Sequence, residues 1–253
     1  MNLYTTMSSL GEFLRIAILL NGFESPNTPL IKSAFTTTIN AACSLGSDTP
    51  STPSTIDFYD PIVKQEYPAP LRYDLIVLSG GTADPMGNRY PWVLKLQEWL
   101  RETVAEYPEK KILGICWGHQ TIHVTFGGRV EEMEQAKIGV EPMELTEEGK
   151  EMFKFSEDGF LVMGVFHRRM VTRRGKGFWP LTEKDWVCIN KRGTVLTLQG
   201  HPEWRVKLGK QMVRSMPAYM GVKEEDKEGL EEAVKGGHDG VKIWRRVLEW
   251  VEE

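Results

Sequence analysis

Apolar positions along this chain follow one pattern as far as Gly128 and a different one after it. In the first part, unbroken apolar runs alternate with stretches of helical spacing. Arg15-Ile-Ala-Ile-Leu-Leu-Asn-Gly22, Asp74-Leu-Ile-Val-Leu-Ser79 and Lys111-Ile-Leu-Gly-Ile115 are short, continuous and bounded by turn residues. Runs of this kind suit central strands of a parallel sheet, which are covered on both faces. Between them, Val93, Leu96, Leu100 and Val104 recur at helical spacing and predict a helix from about Trp92 to Ala105. A second helix is predicted over Trp117–Phe126, stopped by Gly127-Gly128. Strand–helix–strand–helix alternation argues for an α/β fold with helices on both faces of the sheet.

Residues 23–55 read less clearly. They are rich in Ser, Thr, Pro and Asn, with weak helical character around Ile31–Ala42, a loose loop near Gly46–Pro53 and a short strand at Thr55–Tyr59. The poorly specified stretch 23–70 is a candidate for one wall of a pocket. After Gly128 come shorter strand signals at Arg129–Met133, Pro142–Leu145, Gly159–Val165, Trp186–Asn190 and Thr194–Leu198. Lys223–Lys235 reads as a solvated helix face or a linker. Val241–Val251 has Val241, Trp244, Val247, Leu248 and Val251 on one helical face, with Trp244 and Trp250 available as a docking surface. No internal repeat is visible, and the expectation is one domain over 1–253, with a core of about 15–204 and a helical extension over 205–253.

Composition changes this picture little. A chain of this length can bury a core without disulfide or metal staples. The net charge of −4 leaves no overall electrostatic footprint for nucleic acid. Ile16–Leu20 is too short for a membrane span and lacks the flanks of a secretory signal. Cys43, Cys116 and Cys188 are odd in number and widely spaced, so neither a disulfide framework nor a zinc site is indicated. A cytoplasmic location is the expectation, and a nuclear-import reading of the basic residues stays open.

Three local features carry chemistry. Gly114-Ile-Cys116-Trp-Gly118-His119-Gln120 lies where a buried strand ends and a helix begins. A turn there lifts the side chain out of the sheet, flanking glycines relieve its crowding, and the helix turns its positive end toward the sulfur. A buried core cysteine is the plain alternative. Leu198-Gln-Gly-His201-Pro-Glu203 ends an apolar strand. Residues two apart on an extended chain point to the same side, so His201 and Glu203 can converge as base and orienting acid. A surface turn is the alternative. Ser79-Gly80-Gly81 also follows a strand, and its N–H groups can approach an oxyanion, with Trp117 N–H as a second donor. All three features lie at the C-terminal ends of predicted strands, where open α/β sheets place their sites.

Together these motifs resemble the class I (triad) glutamine amidotransferase domain, over about Arg15 to Trp204. The resemblance implies a flavodoxin-like parallel sheet flanked by helices, with a small antiparallel addition. It implies Cys116 as nucleophile, His201 as base and Glu203 as its orienting acid. It also implies Gly81 and Trp117 as oxyanion donors, and Gly80 and Gln120 as contacts to a γ-glutamyl group. The reaction implied cleaves a γ-glutamyl amide through a thioester and needs no metal or organic cofactor.

The chain departs from the family in two places. No synthetase domain follows Trp204, which leaves three readings. One is a γ-glutamyl peptidase-like hydrolase of peptides or conjugates, with specialised metabolism as one setting. A second is a glutaminase subunit serving a separate synthetase, and the third is a catalytically silent binding subunit. Around Val165-Phe-His167-Arg168-Arg169-Met-Val171, arginines stand where many relatives carry Gly and Asp. With Arg173, Arg174 and Lys176 they form a basic cluster. The expectation is that His167, Arg168 and Arg169 contact substrate, the guanidinium forks receiving carboxylates, with a solvated basic loop as the alternative. His119 and His123 stand four apart, a spacing that can hold zinc, although no acidic third ligand accompanies them. Cys188 is expected in the core.

Overall fold

The computed structural model describes residues 14–45, 55–87 and 89–253. Five parallel strands form most of one sheet: β1 (Arg15–Leu19), β2 (Thr55–Tyr59), β3 (Leu75–Leu78), β4 (Lys111–Ile115) and β9 (Val195–Leu198). Two antiparallel strands, β8 (Val187–Asn190) and β7 (Phe178–Pro180), extend its edge, giving the order β2-β1-β3-β4-β9-β8-β7. The predicted loop at 46–53 falls outside the described residues.

Alternation along each strand sends successive side chains to opposite layers. Ile16, Ile18, Leu75, Val77, Leu113 and Ile115 pack with α1 (Thr28–Ser44) and α8 (Gly240–Glu252). Their neighbours Ala17, Leu19, Ile76, Leu78 and Ile112 face α2 (Pro91–Glu106) and α3 (Trp117–Thr125). The result is a flavodoxin-like sheet covered on both faces. No helix among the described residues is long and apolar enough to cross a membrane.

The antiparallel addition is larger than its sequence signals. Arg129–Met133 and Pro142–Leu145 belong to one strand, β5 (Arg129–Glu144), paired with β6 (Phe160–Arg173) in a separate two-stranded sheet. The middle of β5 is polar and its register shifts between Glu132 and Lys137, which hides it from a search for apolar runs. β6 runs eight residues past the expected end at Val165, so Arg168 and Arg169 sit on a strand and not in a loop. A two-stranded ribbon has solvent access that a central strand lacks, so its sequence turns polar while pairing continues. The short α4 (Glu147–Met152), started by Thr146 accepting from Gly149 N–H at 3.1 Å, also escaped the pattern.

Beyond β9, the chain forms α5 (Val206–Ser215), α6 (Pro217–Met220), a 3-10 turn at Glu224–Asp226 and α7 (Lys227–Ala233). Val213, Met220 and Val234 pack with Phe166 and Trp204, so this segment is anchored on β6 and is not a free linker. The docking face expected on α8 is already occupied. Trp244 is fully buried, edge-on to Phe35, and Trp250 is buried with Nε1 donating to Gly193 O at 2.7 Å. An amphipathic pattern requires a partner for the apolar face but does not say whether that partner is the chain's own sheet.

Candidate active site

Cys116 stands between β4 and α3 with φ 52° and ψ −102°, a left-handed conformation rare for a residue with a side chain. Holding it costs about 1–3 kcal/mol, which the surrounding structure must offset. The two flanking glycines show how tight the turn is. A Cβ on Gly118 would lie 2.2 Å from Leu78 O, and one on Gly114 would lie 2.5 Å from Ile122 Cδ1. The backbone is pinned by Cys116 N–H donating to Leu198 O at 2.8 Å and Gln120 N–H donating to Cys116 O at 3.0 Å. Strain and pinning point the thiol out of the sheet, with Sγ 3.8 Å from Phe166 O.

β9 delivers the second group. His201 N–H donates to Gly164 O at 2.8 Å, which binds the turn after β9 to β6. Imidazole Nδ1 lies 2.8 Å from Glu203 Oε1, and both residues are buried. Among the described residues, Nε2 has no oxygen or nitrogen hydrogen-bond partner. Cys116 Cβ and imidazole Cε1 flank one spot beside Gly80: a Cβ there would lie 3.8 Å from the first and 3.1 Å from the second. Burial disfavours the imidazolium, but the Glu203 carboxylate and the adjacent Cys116 sulfur outweigh it. The ring's pKa is held well above its usual 6.5.

Gly80 and Gly81 follow β3. Asn21 fixes this turn, its N–H donating to Ser79 Oγ at 3.0 Å and its Nδ2 to Ser79 O at 3.1 Å. A Cβ on Gly81 would lie 2.3 Å from Asn21 O, so only glycine fits the approach. Among the described residues, neither the Gly81 nor the Trp117 backbone N–H donates a hydrogen bond.

A cavity of about 460 Å³ opens beside these groups. Ser79, Gly80, Gly81, Cys116, His201 and Glu203 form its floor. One wall is the segment 22–28 with Ile31 and Phe35 of α1. The facing wall comes from Trp204, α5 and the turn into α6: Leu208, Gln211, Met212, Ser215, Met216 and Tyr219. The stretch 23–70 therefore does supply a wall, through its first few residues. The second wall was missed because α5 looks in sequence like an ordinary amphipathic helix.

The remaining expected contacts lie behind the floor, and none of Gln120, His167, Arg168 or Arg169 lines the cavity. Gln120 Nε2 donates to Arg169 O at 2.8 Å and to Gln199 Oε1 at 3.2 Å. His167 Nδ1 sits 3.0 Å from Arg169 O, and burial lowers its pKa to about 4. Arg168 donates to Tyr219 O at 2.8 Å and pairs with Glu132 at 2.9 Å. Arg169 comes nearest the cavity, donating to Thr82 O at 3.1 Å and reaching Tyr219 Oη at 3.4 Å. Trp117 does not line the cavity either: its indole packs on Trp92 and donates to Ala83 O at 2.7 Å. His119 and His123 are buried edge-to-face with centroids 4.6 Å apart, and His123 Nδ1 accepts from Gly175 N–H at 3.0 Å. Cys188 is fully buried, and burial pushes its thiol pKa up.

A cysteine on a strained strand-to-helix elbow, beside a buried His–Glu pair in a flavodoxin-like sheet, places the chain in a class of α/β proteins with a cysteine at the end of a central strand. Comparison narrows the class: the class-I glutamine amidotransferase family model matches residues 31–216. The chain belongs to that family. It is 32% identical over 248 residues to the glutamine amidotransferase-like protein chyE of Penicillium rubens, covering 95% of this chain and 98% of the relative. It is 25% identical over 146 residues to γ-glutamyl peptidase 3 of Arabidopsis thaliana, covering 54% of this chain and 57% of that one. A glutamine amidotransferase from Thermotoga maritima superposes with a TM-score of 0.70 at 17% identity, over 96% of this chain and all of the other, which shows a shared fold.

Proposed function

We propose that this protein hydrolyses a γ-glutamyl amide bond with Cys116 as nucleophile, His201 as general acid and base, and Glu203 as the group that orients and charges the imidazole. The carrying observation is the geometry of His201: Nδ1 is locked to Glu203 at 2.8 Å, while the rest of the ring faces Cys116 at the cavity floor. The raised imidazole pKa keeps a proton on the ring beside the sulfur, where it can be given to the leaving amine.

In this reading Sγ attacks the γ-carbonyl carbon and the carbonyl oxygen takes up negative charge. The free N–H groups of Gly81 and Trp117 receive that charge. Preorganised donors of this kind are worth about 2.7–4 kcal/mol each. The C–N bond breaks as His201 gives its proton to the leaving amine, leaving a γ-glutamyl thioester on Cys116. Water then adds to the thioester, passing a proton to His201, and the C–S bond breaks to release glutamate. Arg169, at the cavity edge behind Thr82 and Tyr219, is the guanidinium placed to favour the glutamyl α-carboxylate.

The test is glutamate release from glutamine, glutathione and a γ-glutamyl dipeptide, beside Cys116→Ala. Release should fall at least about 10⁴-fold in the variant, the scale expected when a nucleophile is removed. Slow, Cys116-dependent release from glutamine alone would favour a glutaminase awaiting a separate synthetase. No Cys116-dependent release from any of them would favour a silent binding subunit and reject the proposal.

A further inference from the structure

The cavity beside Cys116 has more apolar wall than cleavage of glutamine requires. When glutamine is hydrolysed the leaving group is ammonia, and only the glutamyl chain needs enclosing. Here Phe23, Ile31 and Phe35 face Leu208, Met212 and Met216. A cavity of about 460 Å³ sits within the range that encloses drug-sized ligands, about 300–1,000 Å³.

The charges are as informative as the apolar area. No cavity residue is Lys or Arg, and segments 1–13 and 46–54 contain neither residue type. The imidazolium of His201 is the cation at the wall, and it is held by Glu203 beside Cys116. Arg169 touches the edge at Thr82 and Tyr219 and already pairs with Glu132 at 3.6 Å, so a glutamyl α-carboxylate would share what remains of its charge. Among the described residues, the one acidic wall residue outside the His–Glu pair is Glu24, which is exposed. A carboxylate on the amine half of the substrate would shed water among Phe35 and Met212 without gaining a cationic partner, and would meet Glu24 on the way in.

We infer that the amine released by this site is bulky and apolar, aryl or branched alkyl with no charged substituent, and that the walls from α1 and α5 disfavour amines bearing a carboxylate. This rests on the γ-glutamyl hydrolase reading and names the substrate class of the same site. An aryl group fills the space between the walls and leaves the water, while the amide carbon rests on the floor. Simple peptides such as γ-glutamyl-glycine and glutathione carry their charge into the apolar end.

The experiment compares kcat/KM for γ-glutamyl-benzylamide, γ-glutamyl-glycine, glutathione and glutamine, and measures binding of the same four to Cys116→Ala by calorimetry. The benzylamide should lead each of the others by about tenfold or more, the scale of burying one aromatic side chain. Met212→Lys, which sets an ammonium in the wall, should shrink that lead by improving the two carboxylate-bearing peptides. Gln211→Lys serves the same purpose if Met212→Lys does not fold. Equal or better cleavage of γ-glutamyl-glycine or glutathione would overturn the inference and leave γ-glutamyl hydrolysis standing. So would a lead that neither lysine changes. If none of the four releases glutamate in a Cys116-dependent way, the hydrolase reading falls. The binding order in Cys116→Ala then decides the walls' preference: benzylamide first supports it, and any other order rejects it.

Discussion

The floor of the cavity and its walls are held in place by different means. Cys116, Gly81 and His201 follow β4, β3 and β9, three strands adjacent in one parallel sheet. Their positions are set by ladder hydrogen bonds and by backbone approaches too close for a Cβ, at Gly81, Gly114 and Gly118. The walls are brought together by side chains. Asn27, just before α1, and Ser215, at the end of α5, are 188 residues apart in sequence and meet in a 2.7 Å hydrogen bond. A backbone-built floor admits almost no variation, whereas walls built from side chains can change what fits without disturbing the chemistry beneath.

The strongest way to press this contrast is to change the floor's charge while keeping its shape. Glu203→Gln preserves size and one hydrogen-bonding atom but removes the carboxylate that sustains the imidazolium. Activity should fall about 10²–10⁴-fold, the range that general acid–base catalysis supplies. The pH profile should move as well. In the wild type the His201 pKa is held above 6.5, so the imidazolium persists to higher pH than an ordinary ring's. In the variant burial would dominate and the ring would lose its proton at lower pH, so the alkaline limb of kcat/KM should shift toward acid. A profile that drops in height without moving would mean that Glu203 does not charge the imidazole.

Next comes the floor's shape. Gly118→Ala places a Cβ 2.2 Å from Leu78 O, and backbone on both sides leaves no flexible atom to yield. The loss of stability should be about 3 kcal/mol or more, at or beyond the upper end of ordinary overpacking. Urea titration of the variant against the wild type measures it. A loss under about 1 kcal/mol would show that the elbow can relax, contrary to a floor fixed by backbone.

The same contrast explains what the sequence discloses. The convergence of Cys116, His201 and Glu203 could be read out because each sits in a local pattern: an apolar run, a turn with glycines, and a fixed spacing of two or three residues. The parallel core was readable for the same reason, since strands buried on both faces are continuously apolar. β5 and β6 were only partly readable because a two-stranded ribbon needs no continuous apolar face, so their polar middles look like loops. That reading placed Arg168 and Arg169 in a loop with substrate contact as the expectation, whereas they lie on a strand that ties both side chains to Tyr219, Thr82 and Glu132. Phe35 and Met212 gave no sign of sharing a cavity, because nothing local records a meeting between α1 and α5. Trp244 shows the limit in reverse, since its helical face was evident and its partner was not.

Layers behind the floor give a pH-dependent prediction of intermediate size. Burial holds the pKa of His167 at about 4 and that of His123 at about 3, against 6.5 for an unperturbed ring. Below about pH 6.5 the unfolded chain therefore binds protons that these folded rings refuse. Their contribution to stability is present above pH 6.5 and is lost as pH falls toward 4 and 3. His201 acts in the opposite sense, its contribution being full below pH 6.5 and lost as pH rises through its raised pKa. His167→Gln should flatten the acid side of the stability profile, recovering on the order of 2–3 kcal/mol at pH 4 relative to the wild-type slope. Denaturant midpoints between pH 4 and pH 8 measure this, and an unchanged slope would show that His167 is not buried as a neutral ring.

The mildest perturbation separates walls from floor most sharply. Asn27 Nδ2 donates to Ser215 Oγ, and both residues line the cavity without belonging to the floor. Removing this link with Asn27→Ala should cost about 1 kcal/mol of stability, the net worth of one ordinary hydrogen bond. Loosened walls enclose a bulky amine less well, so KM for γ-glutamyl-benzylamide should rise about fivefold, a change of about 1 kcal/mol. Glutamine, whose leaving group barely meets the walls, should show a smaller change. With either substrate kcat should hold, because the three strand ends that carry Cys116, Gly81 and His201 are not moved. If kcat fell for both substrates by the same factor, the α1–α5 link would be positioning the floor through the sheet. Chemistry and selectivity would then be one mechanical unit, and the distinction between a backbone-set floor and side-chain-set walls would fail.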